Sequence, residues 1–216
     1  MSILIALKSG GRVYIGGDRE SMQDGSIETD TSRVWEPYDA KGFVIGCIGS
    51  VKVISALKNR SLFQYYDNYL NYSFTKTYLP RRIADAIKDL SNDEEAYFED
   101  ERGVWELNAA FLIASHNRLF YMNQRGEIVE IEDFCVLGDD MSFAYDSLRA
   151  TGDIADPIER IKRAVAASVG NKVDIEYPVS VCRTYTKSPR RWGGKRSKAP
   201  EIISSEVAAF NEADFK

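Results

Sequence analysis

The pattern of apolar and polar positions divides the chain into short strands and amphipathic helices. Several runs have the alternation or the β-rich composition of strands, namely residues 3–7, 12–16, 33–37, 42–49, 107–115, 118–123, 127–131, 134–138 and 178–183. Other stretches place apolar residues at helical spacing, near residues 51–69, 80–90, 141–150 and 157–169. Ser9-Gly10-Gly11 lies between the first two strands, and a glycine turn there predicts a hairpin.

The order of these elements predicts the fold class. Strands come in hairpin groups that alternate with helix pairs, in the order ββββ, αα, ββββ, αα, β. We therefore expect an α+β protein with a four-layer αββα sandwich, in which two mainly antiparallel sheets lie between helix pairs. A polar loop is expected over 19–32 and a solvated acidic connection over 91–103. We expect residues 1–184 to form this domain and residues 185–216 to form a basic tail with a short helix.

Basic residues are concentrated near the end of the sequence. The net charge is -5, yet residues 183–200 hold seven basic side chains and no acidic one, which leaves -12 for the rest of the chain. Such a segment is typical of a solvated tail that aids solubility. An alternative is contact with nucleic acid, in which Tyr185 and Trp192 would stack on bases between the charges. The acidic balance of the remaining chain argues against a broad nucleic-acid-binding face, so nucleic acid is not an expected partner.

Composition argues against several other classes of protein. No apolar run approaches the ~18 residues of a transmembrane helix. The apolar run 3–7 has no basic region before it and no small-residue cleavage site, so we expect no signal peptide. The three cysteines are far apart and odd in number, which argues against a disulfide framework and favours a reducing, cytoplasmic setting. With one histidine and no phosphate-cradling glycine motif, we expect neither a metal site nor a cofactor.

Groups for conventional acid–base or nucleophilic chemistry are scarce. His116 lies in a short turn between two predicted strands, which is typical of a structural histidine and not of a Ser/His/Asp triad. Asp139 and Asp140 precede a predicted helix, where acidic residues stabilise the N-terminus; a paired acid and base or a cation site is an alternative. The remaining candidate is Ser2. Removal of Met1 would give Ser2 a free α-amine that can accept its own hydroxyl proton near neutral pH.

Several segments together resemble the proteasome β-subunits and the bacterial HslV protease, which are N-terminal-nucleophile hydrolases. The opening SILIALKSGGRVYIGGD resembles the first hairpin of that family, and FVIGCIGSVKVISAL its strand, glycine turn and entry into the first long helix. LNAAFLIA followed by FCVLGDDMSFAYDSLRA resembles its second sheet and third helix. The resemblance covers residues 2–184 and depends on the order and spacing of these segments more than on any one of them.

The resemblance implies roles for individual residues. Ser2 falls where the family has its nucleophilic threonine, and Asp18 where it has the aspartate that orients and balances the active-site cation. Gly49 matches the glycine whose backbone N–H forms the oxyanion hole. Arg33 falls, after one gap, where the family has a catalytic lysine; a guanidinium can disfavour protonation of a nearby amine but cannot release a proton. Two weaker candidates complete the set: Asp139, in place of a family serine near the nucleophile, and Asp174, in place of part of a late Asp/Ser pair.

The function implied by the resemblance is that of a self-compartmentalising peptidase. Its substrates would be peptides or unfolded proteins, and its assembly a homo-oligomeric ring, hexameric or heptameric and stacked in pairs, with much of the contact from helices 51–70 and 80–90. No ATPase motif occurs, so any unfoldase would be a separate chain. The alternative is a structural or assembly subunit that keeps the fold without the chemistry, because Arg33 and Asp139 depart from the family pattern.

Overall fold

The described part of the chain has the predicted order of strands and helices, except that two additional short strands lie between the second helix and residue 109. The computed structural model describes residues 2–18, 32–38, 42–60, 78–87, 90, 96–169 and 179–184. The strands are β1 Ile3–Ser9, β2 Arg12–Asp18, β3 Val34–Trp35, β4 Phe43–Gly49, β5 Tyr97–Glu99, β6 Trp105–Leu107, β7 Ala109–Ser115, β8 Arg118–Met122, β9 Ile128–Ile131, β10 Phe134–Gly138 and β11 Val179–Arg183. The helices are α1 Val51–Lys58, α2 Leu79–Ala86, α3 Met141–Ala150 and α4 Pro157–Val169.

The β1–β2 hairpin turns on two glycines. Gly10 and Gly11 have φ angles of 57° and 74°, and Ser9 pairs with Arg12 across the turn. Two successive positive φ angles are those of a type I′ turn, whose twist matches that of the flanking strands. The register that follows brings the start of β1 and the end of β2 to the same end of the hairpin.

Two antiparallel sheets form the centre of the structure. One has four strands in the order β10-β1-β2-β11, and the other has five in the order β3-β4-β7-β8-β9. Their facing sides meet in an apolar core that includes Leu4 and Ile15 of the first sheet and Val44 and Leu112 of the second. At Gly46 an added Cβ would lie 2.8 Å from Leu4 Cδ1, so the close approach of the sheets requires a glycine there.

A helix pair covers the outer side of each sheet. Alternate residues of β1, namely Ile3, Ile5 and Leu7, belong to a cluster with Leu148 of α3 and Ile161 of α4. Helices α1 and α2 pack in the same way against the outer side of the five-stranded sheet. Because β1 is buried on both sides, its apolar run is unbroken. The four-layer αββα sandwich predicted from the sequence is confirmed.

The prediction of a solvated connection over 91–103 is wrong in part. Strand β5 lies within this segment and pairs with β6 as a separate two-stranded ribbon. Asp100 accepts hydrogen bonds from the backbone N–H groups of Arg102 and Val104, at 2.9 Å each, and so closes the turn between the two strands. The side chain of Arg125 also forms an ion pair with Asp100. A neighbouring cation and two backbone amides therefore satisfy the Asp100 carboxylate, in a segment whose composition alone is typical of a solvated loop.

Parts of the predicted elements lie outside the described residues. Helix α1 ends at Lys58, short of the predicted end near Tyr69, and residues 61–77 are outside the described ranges. The same holds for the predicted loop up to residue 31 and for the tail 185–216. Among the helices of the described ranges, none combines the length and the apolar character that crossing a membrane requires.

Candidate active site

The start of β1 meets the ends of two neighbouring strands. Antiparallel pairing sets Ile3 opposite Gly138 at the end of β10, and the β1–β2 register brings Asp18 to the same end of the sheet. Arg33 comes from the other sheet, directly before β3, whose pairing with β4 holds this segment in place. Backbone pairing therefore gathers side chains from both sheets around Ser2.

Arg33 and Asp18 form a buried ion pair beside Ser2. Arg33 is 2% exposed and Asp18 is 3% exposed. Arg33 Nε lies 3.3 Å from Asp18 Oδ1, which also accepts the Ile3 N–H at 2.7 Å. Arg33 Nη2 donates a hydrogen bond of 2.6 Å to Ser2 Oγ. A carboxylate, a guanidinium and a hydroxyl are thus connected in series.

Burial controls the charge state of Asp18. Loss of hydration raises the pKa of this carboxyl above its usual value of 3.8, and the positive charge of Arg33 and the Ile3 N–H lower that pKa by less. The guanidinium remains protonated in proteins. Arg33 therefore places a permanent positive charge at the Ser2 hydroxyl, where it can stabilise an oxyanion but cannot remove a proton.

Asp139 contacts the main chain of Ser2 twice. The Ser2 N–H donates to Asp139 Oδ2 at 2.9 Å, and the Asp139 N–H donates to the Ser2 carbonyl at 2.9 Å. Unlike Asp18, Asp139 is exposed. The predicted nucleophile therefore has a cation at its hydroxyl and a carboxylate at its nitrogen.

Gly138 also belongs to this cluster, although it was not identified from the sequence as a site residue. Its φ angle is 120°, and an added Cβ would run into the Ser2 carbonyl and lie 2.8 Å from Ile48 Cδ1. Both the conformation and the lack of space exclude a side chain. The signal that could have revealed it is a glycine at a strand end, directly before Asp139 and Asp140.

Gly49 ends β4 next to Ile48, whose side chain reaches Gly138. Its φ angle is 121°, and an added Cβ would run into the Asn108 carbonyl. That carbonyl accepts the Ser50 N–H at 2.8 Å. The backbone at Gly49 is therefore held in a conformation that requires glycine, at the Ser2 end of the sandwich.

Two further candidates were named from the sequence, and one of them, His116, lies away from this cluster. Asp174 lies outside the described residues. His116 has a φ angle of 54°, and its Nδ1 lies 2.9 Å from Ser115 Oγ. Its carbonyl accepts a hydrogen bond from Thr184, at the opposite end of the sheet from Asp18. Within the described ranges, no group of three or more His, Cys, Asp or Glu side chains is placed to hold a metal ion.

Comparison with solved structures identifies the fold. Thiobacillus denitrificans BPH gives a TM-score of 0.63 at 14% sequence identity, over 86% of this chain and 98% of that chain. BPH in complex with epoxomicin gives 0.56 at 15% identity, over 86% and 99%. The Anbu (Gly-1) mutant from Hyphomicrobium sp. strain MC1 gives 0.57 at 14% identity, over 88% and 86%. The fold is that of the proteasome-like N-terminal-nucleophile hydrolases.

The resemblance stated from the sequence is thereby confirmed at the level of the fold. No protein-family model and no curated protein matches the sequence significantly. In this proteasome-like fold, direct contacts connect Ser2 with Arg33 and Asp139, and Arg33 with Asp18. At identities of 14–15%, the likeness to BPH and Anbu establishes the fold alone, and the catalytic roles of these residues stay predictions.

Proposed function

We propose that this chain is a proteasome-like peptidase subunit whose nucleophile is Ser2, exposed by removal of Met1. The observation that carries the proposal is the 2.6 Å hydrogen bond from Arg33 Nη2 to Ser2 Oγ, supported by the buried carboxylate of Asp18. Burying a cation is costly, so the placement of this buried, Asp18-paired guanidinium against the Ser2 hydroxyl favours a chemical role. A serine hydroxyl becomes an effective nucleophile when a base takes its proton.

The proposed reaction starts at the α-amine of Ser2. The neutral amine accepts the Oγ proton while Oγ attacks the carbonyl carbon of a peptide bond. Arg33 stays protonated and stabilises the negative charge that develops on Oγ. The carbonyl oxygen of the substrate becomes an oxyanion, for which the Gly49 backbone N–H is the proposed hydrogen-bond donor.

Collapse of the tetrahedral intermediate then breaks the C–N bond of the substrate. The α-ammonium returns its proton to the leaving amine, and an ester remains between the acyl group and Ser2 Oγ. Water gives a proton to the same α-amine while its oxygen attacks the ester carbon, and the bond between the acyl carbon and Ser2 Oγ then breaks. The α-ammonium returns its proton to Oγ, which restores the serine hydroxyl and releases the carboxylic acid product. Since Arg33 cannot exchange protons, the α-amine is the group that accepts and donates every proton in this scheme.

The proposed assembly is a homo-oligomeric ring, hexameric or heptameric and paired into a double ring. Peptides or unfolded proteins are the proposed substrates, and an ATPase that delivers them would be a separate chain. Met141 and Phe143, 41% and 58% exposed at the start of α3, support contact with another copy close to the site. Mass measurement in solution tests the assembly, and a single species of 24.4 kDa at all concentrations would contradict it.

Hydrolysis of fluorogenic peptides by the purified chain tests the proposed activity. We expect hydrolysis that Ser2→Ala abolishes. In Arg33→Met we expect a loss of about 10²-fold per folded molecule, with the folded fraction measured by circular dichroism, because one electrostatic contribution to the transition state is removed. Ser9→Ala is the matched control, since Ser9 lies at the other end of β1. Full activity in Ser2→Ala would overturn the proposal. The BPH structure with epoxomicin supports the use of a peptide epoxyketone as a probe for this chain.

A structural subunit without catalysis is the second candidate. The hydrogen bond from Ser2 N–H to Asp139 Oδ2 favours it, since a carboxylate stabilises the protonated, non-basic form of an amine. This candidate predicts assemblies that hydrolyse no peptide of any sequence. Arg33→Lys, which restores the family's residue type, would then produce activity if the remainder of the site is competent.

A further inference from the structure

The two contacts between Asp139 and Ser2 differ in kind. The hydrogen bond from the Asp139 N–H to the Ser2 carbonyl joins two backbone groups at the end of the β1–β10 pairing, and most residue types could form it. The hydrogen bond from the Ser2 nitrogen to Asp139 Oδ2 depends on the side chain. The carboxylate contact is therefore additional to what the strand pairing requires.

Three charged side chains of the described residues face Ser2 and its neighbour. Asp139 accepts from the Ser2 nitrogen, Arg33 donates to Oγ, and Asp18 accepts from the next N–H along β1. Asp18 is balanced by its ion pair with Arg33, whereas Asp139 makes no ion pair with another described residue. A negative charge favours protonation of an adjacent amine, and the charge of Arg33 disfavours it. Asp139 is the group in direct contact with the nitrogen.

We propose that Asp139 controls the protonation of the Ser2 amino group, holding it as an ammonium ion near neutral pH and positioning it for proton transfer at higher pH. This inference rests on the proposed function, in which removal of Met1 converts the Ser2 amide into an amine. The neutral amine donates one N–H to the Asp139 carboxylate, and its lone pair is free to accept the proton of Ser2 Oγ. Asp139 is thus a positioning residue, and acylation of Ser2 increases from neutral to alkaline pH.

The size of the effect follows from the exposure of Asp139. An opposite charge in contact shifts the pKa of an ionisable group by about 1–3 units. Asp139 is exposed, and water screens its charge. We therefore expect the lower end of that range, about one unit, which is about a tenfold change in the fraction of neutral amine below its pKa.

Competitive acetylation measures the amine directly and does not require catalysis. The full chain is produced with Ser2 as its first residue by cleavage of a removable leader and is treated with trace acetic anhydride across the neutral and alkaline range. Mass spectrometry then quantifies the acetylated N-terminal peptide against a free peptide standard. Asp139→Asn removes the charge and keeps the shape. Asp140→Asn removes the same charge from the adjacent exposed residue, whose left-handed φ of 50° asparagine tolerates.

We expect Asp139→Asn to lower the pKa of the amine by about one unit and to raise acetylation at neutral pH about tenfold, with a smaller change in Asp140→Asn. Equal shifts in the two variants, or none in Asp139→Asn, would overturn the proposal. Asp139→Ser is the second variant if the first does not fold, since it also keeps the backbone bond to Ser2. If Asp139→Asn shifts the pKa of the Ser2 amine but the wild-type chain hydrolyses no peptide, the proposed peptidase function is refuted and the role of Asp139 is not. Failure of the one claim is therefore distinguishable from failure of the other.

Discussion

Arg33 Nη2 lies 2.6 Å from Ser2 Oγ, and Nε of the same guanidinium lies 3.3 Å from Asp18 Oδ1. These contacts join the two sheets, because Arg33 directly precedes β3 of the five-stranded sheet and Ser2 directly precedes β1 of the four-stranded sheet. The stability of the sandwich and the proposed chemistry therefore depend on one buried cation.

Replacement of Arg33 by methionine should destabilise the fold strongly. Methionine replaces much of the side-chain volume but leaves the buried carboxylate of Asp18 without this counter-ion. Removal of one partner from a buried ion pair costs about 3–5 kcal/mol. Urea unfolding followed by circular dichroism should show this loss, and the double variant with Asp18→Asn should recover part of it.

Arg163→Met is the matched control for this prediction. Arg163 forms an exposed pair with Glu159, one helical turn away on α4. Pairs of this kind contribute about 0.3–0.5 kcal/mol. Losses of equal size in the two arginine variants would contradict a stabilising role for the buried pair.

Asp18 should make the protein less stable as pH rises through part of the acidic range. Burial raises the pKa of Asp18 in the folded chain above the usual 3.8. Between the unfolded-state pKa, close to the usual 3.8, and the raised folded-state pKa, the folded chain binds more protons than the unfolded chain. The free energy of unfolding therefore falls with rising pH across this interval and levels off above the folded-state pKa. The unfolding free energy of the wild type minus that of Asp18→Asn should therefore decline from pH 3.8 upward. A difference that is constant with pH would refute this assignment.

Gly138→Ala should destabilise the protein more than Gly10→Ala, although both glycines have positive φ angles. At Gly10 no atom lies within 4 Å of an added Cβ, so only the conformational cost of about 1–2 kcal/mol applies. At Gly138 the added Cβ also meets the Ser2 carbonyl and Ile48. Thermal unfolding of the three proteins should give this order, and the reverse order would show that the β1–β10 end is not closely packed.

The architecture could be predicted because the spacing of apolar residues changes along the chain. At Gly49 the run of β4 gives way to the helical spacing of Val51, Ile54 and Leu57, all of which lie in α1. Residues of β1 face a different core on each side, and the unbroken apolar run reflects burial on both. Patterns of this kind involve residues that lie close together in the sequence, so the sequence of one chain is enough to show them.

The remaining features depend on contacts between residues distant in the sequence. The β5–β6 ribbon is held by Arg125, which reaches Asp100 from the turn after β8. Asp139 and Asp140 were predicted at a helix N-terminus, and α3 does begin at Met141. Asp140 nevertheless makes no side-chain cap, and the carboxylate of Asp139 binds Ser2 instead. No pattern within one segment reports such contacts, and only the family resemblance implied a place for Asp139 near Ser2.

A peptide epoxyketone tests the central claim because it requires two groups on the same residue. Its ketone reacts with a hydroxyl and its epoxide with an amine, so a stable adduct forms at a serine that carries a free α-amine. Thiols are the main competing nucleophiles. Burial raises the pKa of Cys47 and Cys135, which disfavours their reactive thiolate forms. The third cysteine, Cys182, is half-buried, and an adduct on it would lie outside the N-terminal peptide.

The most direct measurement is the intact mass of the full chain, freed of Met1, after treatment with this epoxyketone at alkaline pH. The account predicts one adduct per chain, located on the N-terminal peptide and absent from Ser2→Ala. An unchanged mass in folded protein that begins with Ser2 would contradict a nucleophile at this position.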